Sequence, residues 1–423
     1  MSGNMHGRTL DARVHPLMNE VFLVDGVRTA QGRYGGALSS IRPDDLAAAV
    51  VKEVVHRARI SGDLVDEVVF GAANQAGEDN RNVARMATLL AGLPDTVPGY
   101  TVNRLCASGL TAINCAAQTI RSGEAEIMIA GGVESMTRAP WVIAKQGTPW
   151  ARPGEIADSS LGWRFVNPIF SDHDATPTIS PSHGSRTITL SMGETAEEVA
   201  ALDGITRDES DEFALRSHGR AIAAIDSGHF AAEIVPVQAK SGEIVLDEAP
   251  RRDATFEKLS ALRPVFRENG VVTAGSSSPL SDGAAAVVVA SERAVNRYGL
   301  VPRARIVACA SAGVTPSLMG LGPVPATEKV LSRAGWTIGD VGSIELNEAF
   351  AVQSLAVIRR LKLDQDLVNA DGGAIALGHP LGCSGARLMV TLLGRLEREG
   401  SRRGLATLCV GVGQGVAMLV ERV

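Results

Sequence analysis

Four segments of the chain carry side chains of the kind and in the setting that reaction chemistry uses. Cys106 lies in Val102-Asn-Arg-Leu-Cys-Ala-Ser-Gly-Leu-Thr-Ala-Ile, where small residues lead from an apolar strand into a helix. A thiol at a helix start faces unpaired N–H groups and the positive end of the helix dipole, which favour thiolate and nucleophilic attack. The plain alternative is a small buried cysteine filling a tight strand-to-helix turn. His379 stands in Gly372-Gly-Ala-Ile-Ala-Leu-Gly-His-Pro-Leu-Gly-Cys-Ser-Gly, a glycine-laden loop where backbone can approach a ligand closely. It is the one histidine of eight in such a setting. The others, including His56 and His218 on helical patterns and His6 and His15 near the N-terminus, read as solvated surface residues. Asn347-Glu-Ala-Phe follows an Ile344-Glu-Leu strand and begins a helix, where an asparagine serves readily as N-cap. Cys409-Val-Gly-Val-Gly-Gln-Gly superficially suggests a dinucleotide loop. The glycines lead into Val416-Ala-Met-Leu-Val-Glu-Arg-Val, however, a strand and not the helix such a fingerprint must open. A strand-turn-strand hairpin with Cys409 at a strand tip is the better expectation.

The elements that must hold these residues alternate. Strand-like runs at 21–25, 67–70, 126–130, 284–290, 304–310, 343–346 and 406–410 interleave with helical patterns at 44–60, 110–121, 209–227 and 349–361. That alternation predicts an α/β protein with covered sheets. Between about 137 and 280 the texture changes to proline- and glycine-rich loops followed by two amphipathic helices, as expected of an insertion into an α/β body. A faint repeat relates Cys106-Ala-Ser-Gly and its following strand to Cys383-Ser-Gly and its following strand.

Composition narrows the function. The 423 residues hold 41 basic and 47 acidic side chains, for a formal charge of −6, with 21% charged and 4% aromatic residues. A disordered acidic chain, electrostatic capture of nucleic acid and a base-stacking platform are all disfavoured. No P-loop, H-E-x-x-H or carboxylate cluster of metal-site spacing occurs, so neither phosphoryl transfer nor a metal centre is expected. The longest apolar runs fall short of the roughly 20 residues of a membrane helix, predicting a protein without membrane contacts. Residues 1–18 read as a polar tail without a signal-peptide core. Five cysteines at 106, 115, 309, 383 and 409, odd in number and without a C-x-x-C pair, predict a reduced, cytoplasmic setting.

Together, Asn103-Arg-Leu-Cys-Ala-Ser-Gly, Gly131-Gly-Val-Glu-Ser-Met-Thr-Arg-Ala-Pro, Asn347-Glu-Ala-Phe, the His379 loop and Cys409-Val-Gly resemble the thiolase family, the acetyl-CoA C-acyltransferases. The resemblance runs from about residue 20 to residue 423. It implies the thiolase fold: two similar βαβαβαββ halves in a five-layered α-β-α-β-α arrangement with an inserted loop domain. The halves would be 19–136 plus 281–304 and 305–423, with the loop domain at 137–280 over the active site.

Carried over by motif, the resemblance makes Cys106 the nucleophile that becomes acylated, His379 its base, and Cys409 the acid/base for the α-proton of acetyl-CoA. Asn347, holding a water beside His379, would form one oxyanion site, and the N–H groups of Cys106 and Gly411 the other. Ser278, Ala274, Met192, Phe266, Met319, Phe350 and Ala349 would contact substrate and coenzyme A, which acts as co-substrate with no permanently bound cofactor. Partners would be acyl-CoA substrates and further copies of the chain, as a homodimer or homotetramer. Thr273-Ala-Gly-Ser-Ser-Ser-Pro departs from the family pattern, an asparagine and a glycine being replaced, Cys383 replaces an alanine in what reads as a packing role, and Ser191 stands where short-chain biosynthetic thiolases have histidine. Gly32-Arg-Tyr-Gly-Gly-Ala-Leu, Asn74-Gln-Ala-Gly-Glu-Asp-Asn-Arg, Gly162-Trp-Arg-Phe-Val-Asn-Pro and Gly411-Val-Gly-Gln-Gly resemble thiolases of aromatic degradation that cleave 3-oxoadipyl-CoA. The stretch from Ser171 to Leu190 does not match that pattern. Arg164 and Arg186 are candidate partners for a substrate carboxylate. A general 3-ketoacyl-CoA or acetoacetyl-CoA thiolase, a non-catalytic acyl-CoA-binding relative and a nucleotide-dependent oxidoreductase are the alternatives.

Overall fold

The structure, a computed structural model, describes residues 19–171, 188–240 and 242–423. The expected tail at 1–18 and Arg186 lie outside them. The chain runs through β1 (Val21–Thr29), α1 (Pro43–Arg57), β2 (Glu67–Gly71), α2 (Val83–Leu90), β3 (Gly99–Val102), α3 (Ser108–Ser122) and β4 (Ile127–Ser135). The inserted segment contributes a hairpin of β5 (Trp141–Ile143) and β6 (Ile156–Asp158), then α4 (Met192–Asp203) and α5 (Arg207–Asp226). There follow β7 (Ser281–Ser291), β8 (Ala304–Gly313), α6 (Pro323–Ala334), β9 (Ser343–Leu346), α7 (Ala351–Leu361), α8 (Leu381–Arg398), β10 (Arg403–Val410) and β11 (Gln414–Arg422).

Strand order shows the duplication that the cysteine-centred repeat hinted at. One half-sheet runs β3-β2-β4-β7-β1, parallel, parallel, antiparallel, antiparallel. The other runs β9-β10-β11-β8, parallel, antiparallel, antiparallel, with a parallel bridge from Ile344 to Val368 standing where β3 stands in the first. A two-residue antiparallel contact, Phe22 to Arg305 and Leu23 to Ala304, joins them. In β7, Ala285, Val287 and Val289 pack into the space shared with α3 and α8, whereas Ala284, Ala286, Val288 and Ala290 pack on the opposite face with α1. A strand that is apolar at both parities must be covered on both sides. The layers are therefore α1 with α2, one half-sheet, α3 with α8, the second half-sheet, and α6 with α7.

The central pair decides where the site falls. α8 is buried almost all round from Gly382 to Leu396, as a helix between two sheets must be. A Cβ at Gly109 would lie 2.8 Å from the Ala386 nitrogen, and one at Gly385 would lie 2.3 Å from the Leu110 nitrogen. The glycine that ends each Cys-Ala-Ser-Gly and Cys-Ser-Gly run therefore lets α3 and α8 meet backbone to backbone, bringing the two helix starts together. No helix among the described residues is long and apolar enough to cross a membrane.

Candidate active site

Cys106 sits in a one-turn 3₁₀ segment, Leu105–Ala107, just ahead of α3. The polar residues of its motif build that turn. Asn103 Oδ1 accepts the Leu105 N–H at 2.8 Å and Asn103 Nδ2 donates to the Ala73 carbonyl at 2.9 Å. Ser108 Oγ accepts the Arg104 N–H at 2.9 Å and donates to the Leu105 carbonyl at 2.7 Å. These bonds hold Leu105 at φ +46°, a left-handed conformation that costs a non-glycine residue energy and persists only when its surroundings impose it. Sequence reasoning named the cysteine and passed over Asn103 and Ser108, although local side-chain to backbone bonding is what those residue types do.

His379 precedes α8, its backbone N–H donating to Ser281 Oγ at 3.3 Å. Its Nδ1 lies 2.5 Å from Ser384 Oγ, and that hydroxyl donates to the Pro380 carbonyl at 2.8 Å. A hydroxyl already donating must accept from the imidazole, which puts the proton on Nδ1 and the lone pair on Nε2. Asn347 Nδ2 lies 3.3 Å from Nε2, and Asn347 Oδ1 is buried without a protein partner among the described residues. Asn347 is thus no N-cap: α7 begins only at Ala351 after an extended Phe350, and the asparagine amide is turned to the histidine instead. Burial and the nearby Arg387 cation press the His379 pKa down to about 3, so the ring is neutral at physiological pH.

Cys409 is the last residue but one of β10 and Gly411 occupies the turn to β11, the hairpin expected from the sequence. Val412, next in that turn, has φ +63°, a genuine strain for a β-branched residue. A Cβ at Gly411 would lie 3.0 Å from Leu105 Cδ1 and 3.7 Å from Met192 Sδ. The thiolate expected from the helix start is not the resting state of Cys106. Burial raises its pKa to about 11, against the opposing pull of the Gly411 and Cys106 N–H groups. Desolvation in this apolar pocket outweighs the helix end. Burial and the neighbouring Cys106 likewise push the Cys409 thiol up.

These groups open on one cavity of about 480 Å³. Cys106, His379, Cys409 and Gly411 line it together with Met192, Phe266, Ser278, Met319, Ala349, Phe350 and Arg164. Phe266 and Phe350 meet edge to face at 6.2 Å between centroids. Asn347 is placed behind the histidine, and Ala274 is exposed and does not line the cavity. Cys383 packs in the central core, its thiol raised to about 12 by burial. His218 corrects an expectation: it is buried, accepts the Arg251 N–H at 3.2 Å, and has its pKa lowered to about 4 by burial and the Arg251 and Arg33 cations. Two residues that sequence reasoning left without a role, Glu134 and Asn74, line the same cavity as Cys106.

The family models for the thiolase N-terminal domain and the thiolase C-terminal domain match residues 21–293 and 300–422. The 3-oxoadipyl-CoA/3-oxo-5,6-dehydrosuberyl-CoA thiolase of Escherichia coli strain K12 is 54% identical over 414 residues, covering 96% of this chain and all of the relative. The β-ketoadipyl-CoA thiolase of Pseudomonas putida is 52% identical over 413 residues with the same coverage. The crystal structure of human mitochondrial 3-ketoacyl-CoA thiolase in complex with CoA superposes with a TM-score of 0.87 at 38% identity, covering 96% of this chain and 99% of that one. A duplicated five-layer fold, a cysteine, histidine and second cysteine on one pocket, and family matches spanning nearly the whole chain lead to one conclusion: the chain belongs to the thiolase family of acyltransferases.

Proposed function

We propose that the protein cleaves 3-oxoadipyl-CoA with coenzyme A, giving succinyl-CoA and acetyl-CoA through an acyl-Cys106 intermediate. The observation that carries the catalytic part is the convergence of Cys106, His379, Cys409 and Gly411 on one cavity, with Asn347 bonded to the histidine. Cys106 Sγ adds to the C3 ketone while His379 Nε2 takes the thiol proton. The resting pair is neutral, so charge separates only during attack, when donors aimed at the new oxyanion do the most good. The C2–C3 bond then breaks, its electron pair passing to C2, and Cys409 protonates that carbon to release acetyl-CoA. The thiol of a second coenzyme A gives its proton to the Cys409 thiolate and attacks the thioester. Cys106 leaves as thiolate and recovers its proton from the His379 imidazolium, so the cycle closes without a net change in the enzyme.

The names of the similar bacterial thiolases support the dicarboxylic substrate, and so does Arg164. It lines the cavity, is half-buried, and forms no ion pair among the described residues. A carboxylate entering such a pocket needs a charge-assisted partner. Met192, Phe266, Ser278, Met319, Ala349 and Phe350 form the wall we assign to the pantetheine arm. Thiolysis rates for 3-oxoadipyl-CoA and for uncharged 3-ketoacyl-CoAs of matching length test the reading. It requires the dicarboxylic substrate to have the higher kcat/KM, and equal or reversed preference removes it in favour of a general thiolase.

The hairpin of β5 and β6 holds Trp141, Ile143 and Ile156 in solvent, which supports assembly into a homo-oligomer. All five cysteines are unpaired, in keeping with a reducing cytoplasm. We divide the chain into a half at 19–136 with 281–304, a loop domain at 137–280 and a half at 305–423.

A further inference from the structure

We propose that Glu134 is a positioning residue that fastens the His379 segment of the second half to the pocket wall built by the first. Its carboxylate lies near the end of β4, 2% exposed, and lines the cavity that holds Cys106. Three main-chain donors converge on it from two distant segments. Glu134 Oε2 accepts the Ala73 N–H at 2.9 Å and the Gly382 N–H at 2.8 Å, and Oε1 accepts the Asn74 N–H at 3.1 Å. Ala73 and Asn74 lie just beyond β2, and Gly382 lies in the first turn of α8, three residues after His379. The fit at Gly382 is tight: a Cβ there would stand 2.5 Å from the Val133 carbonyl oxygen and 2.9 Å from Glu134 Oε2.

Among the described residues no cation pairs with Glu134. An unpaired buried carboxylate is expensive, so its retention at the seam between the two halves calls for a function. Only an ionised carboxylate offers acceptors on both oxygens without presenting a donor of its own. A glutamine would turn an NH₂ group toward at least one of these N–H groups. The groups facing the carboxylate are Asp79 from the loop before α2, Cys106 at the start of α3 and Cys383 on α8. Burial and Asp79 lift its pKa to about 7 against the pull of the three N–H donors. Protonation exchanges an acceptor for a donor, so the fastening weakens as pH falls through that value.

The inference rests on the catalytic roles of Cys106 and His379, and one variant separates the two. Glu134→Gln is compared with the parent by amide hydrogen exchange and by steady-state thiolysis. We expect exchange to quicken about tenfold, the value of one lost hydrogen bond, in the segments holding Ala73–Asn74 and Gly382. We also expect kcat to fall about tenfold or more with the KM for coenzyme A within about twofold, because the pantetheine wall is untouched. A rise in parent kcat centred near pH 7 should disappear in the variant. Unchanged exchange in either segment overturns the fastening even if Cys106 proves not to be the nucleophile. Quickened exchange with parent-like kcat, or loss of kcat together with coenzyme A affinity, overturns the positioning role. Should the glutamine variant fail to fold, Glu134→Asp, which keeps the charge but is one methylene short, is read by the same two measurements, and parent-like values refute the proposal.

Discussion

Ser384→Ala isolates the hydrogen bond that selects the His379 tautomer. Ser384 is buried, and its hydroxyl accepts from Nδ1 at 2.5 Å because its own proton is engaged by the Pro380 carbonyl at 2.8 Å. With the ring neutral in the resting site, this is a bond between uncharged groups, worth about 0.5–1.5 kcal/mol. Once Nε2 takes the thiol proton the donor is an imidazolium, and the same bond is worth about 1.5–3 kcal/mol. The difference, about 1–2 kcal/mol, exists only along the reaction coordinate and so enters the barrier, which at about 1.4 kcal/mol per tenfold lowers kcat by roughly 5- to 30-fold. The KM for coenzyme A should stay within about twofold, since no pantetheine contact is lost. The assay is steady-state thiolysis joined to single-turnover acylation of Cys106, and both should slow alike because His379 acts in both halves of the cycle. A parent-like kcat, or a loss expressed only in KM, refutes the reasoning that the serine serves a charge-developing histidine.

Other perturbations probe separate groups of the protein. Cys409→Ser should still acylate Cys106 but lose about 10²- to 10⁴-fold in turnover, the usual worth of a positioned acid/base. Exchange of the acetyl-CoA methyl protons with deuterated solvent should fall with it, and parent-rate exchange assigns that proton to another group. Arg164→Ala should cost about 2 kcal/mol in kcat/KM for 3-oxoadipyl-CoA while sparing acetoacetyl-CoA, because only the former leaves a buried charge unpaired. Equal losses on both substrates place the arginine outside the specificity pocket. His218, lowered to about 4 by burial and two arginines, takes up its proton in the unfolded chain near pH 6.5 but in the fold only near pH 4. The unfolded state binds more protons between those values, so this contribution is present above pH 6.5 and is lost as pH falls, by about 3 kcal/mol in all. Denaturant titrations of the parent and His218→Gln at several pH values should show the parent losing that much more between pH 7 and pH 4, and parallel curves contradict it.

The order of strands and helices was legible because each is written in local pattern. Ala284–Ala290 is apolar at both parities, and the hairpin at Gly411 carries its own turn residues. Cys106, His379 and Cys409 were legible because each sits in a glycine-containing motif, and two of those glycines, Gly109 and Gly385, are forced by backbone contact between α3 and α8. What stayed hidden depends on long-range burial. The helix start at Cys106 signals a thiolate, but a pocket closed by the other half desolvates the sulfur and reverses the sign. His218 sits on an amphipathic helix pattern that does not say which neighbours will cover it. Glu134 reads as one carboxylate in a strand, and its three donors come from residues 61 and 60 positions before it and 248 after it in the chain.

The most direct test of the catalytic assignment is peptide mass spectrometry after brief incubation with 3-oxoadipyl-CoA or acetyl-CoA in the absence of free coenzyme A. An acyl mass should appear on the peptide containing Cys106, discharge on adding coenzyme A and be missing in Cys106→Ala. An adduct confined to Cys409 or Cys115, or turnover that survives Cys106→Ala, would contradict it.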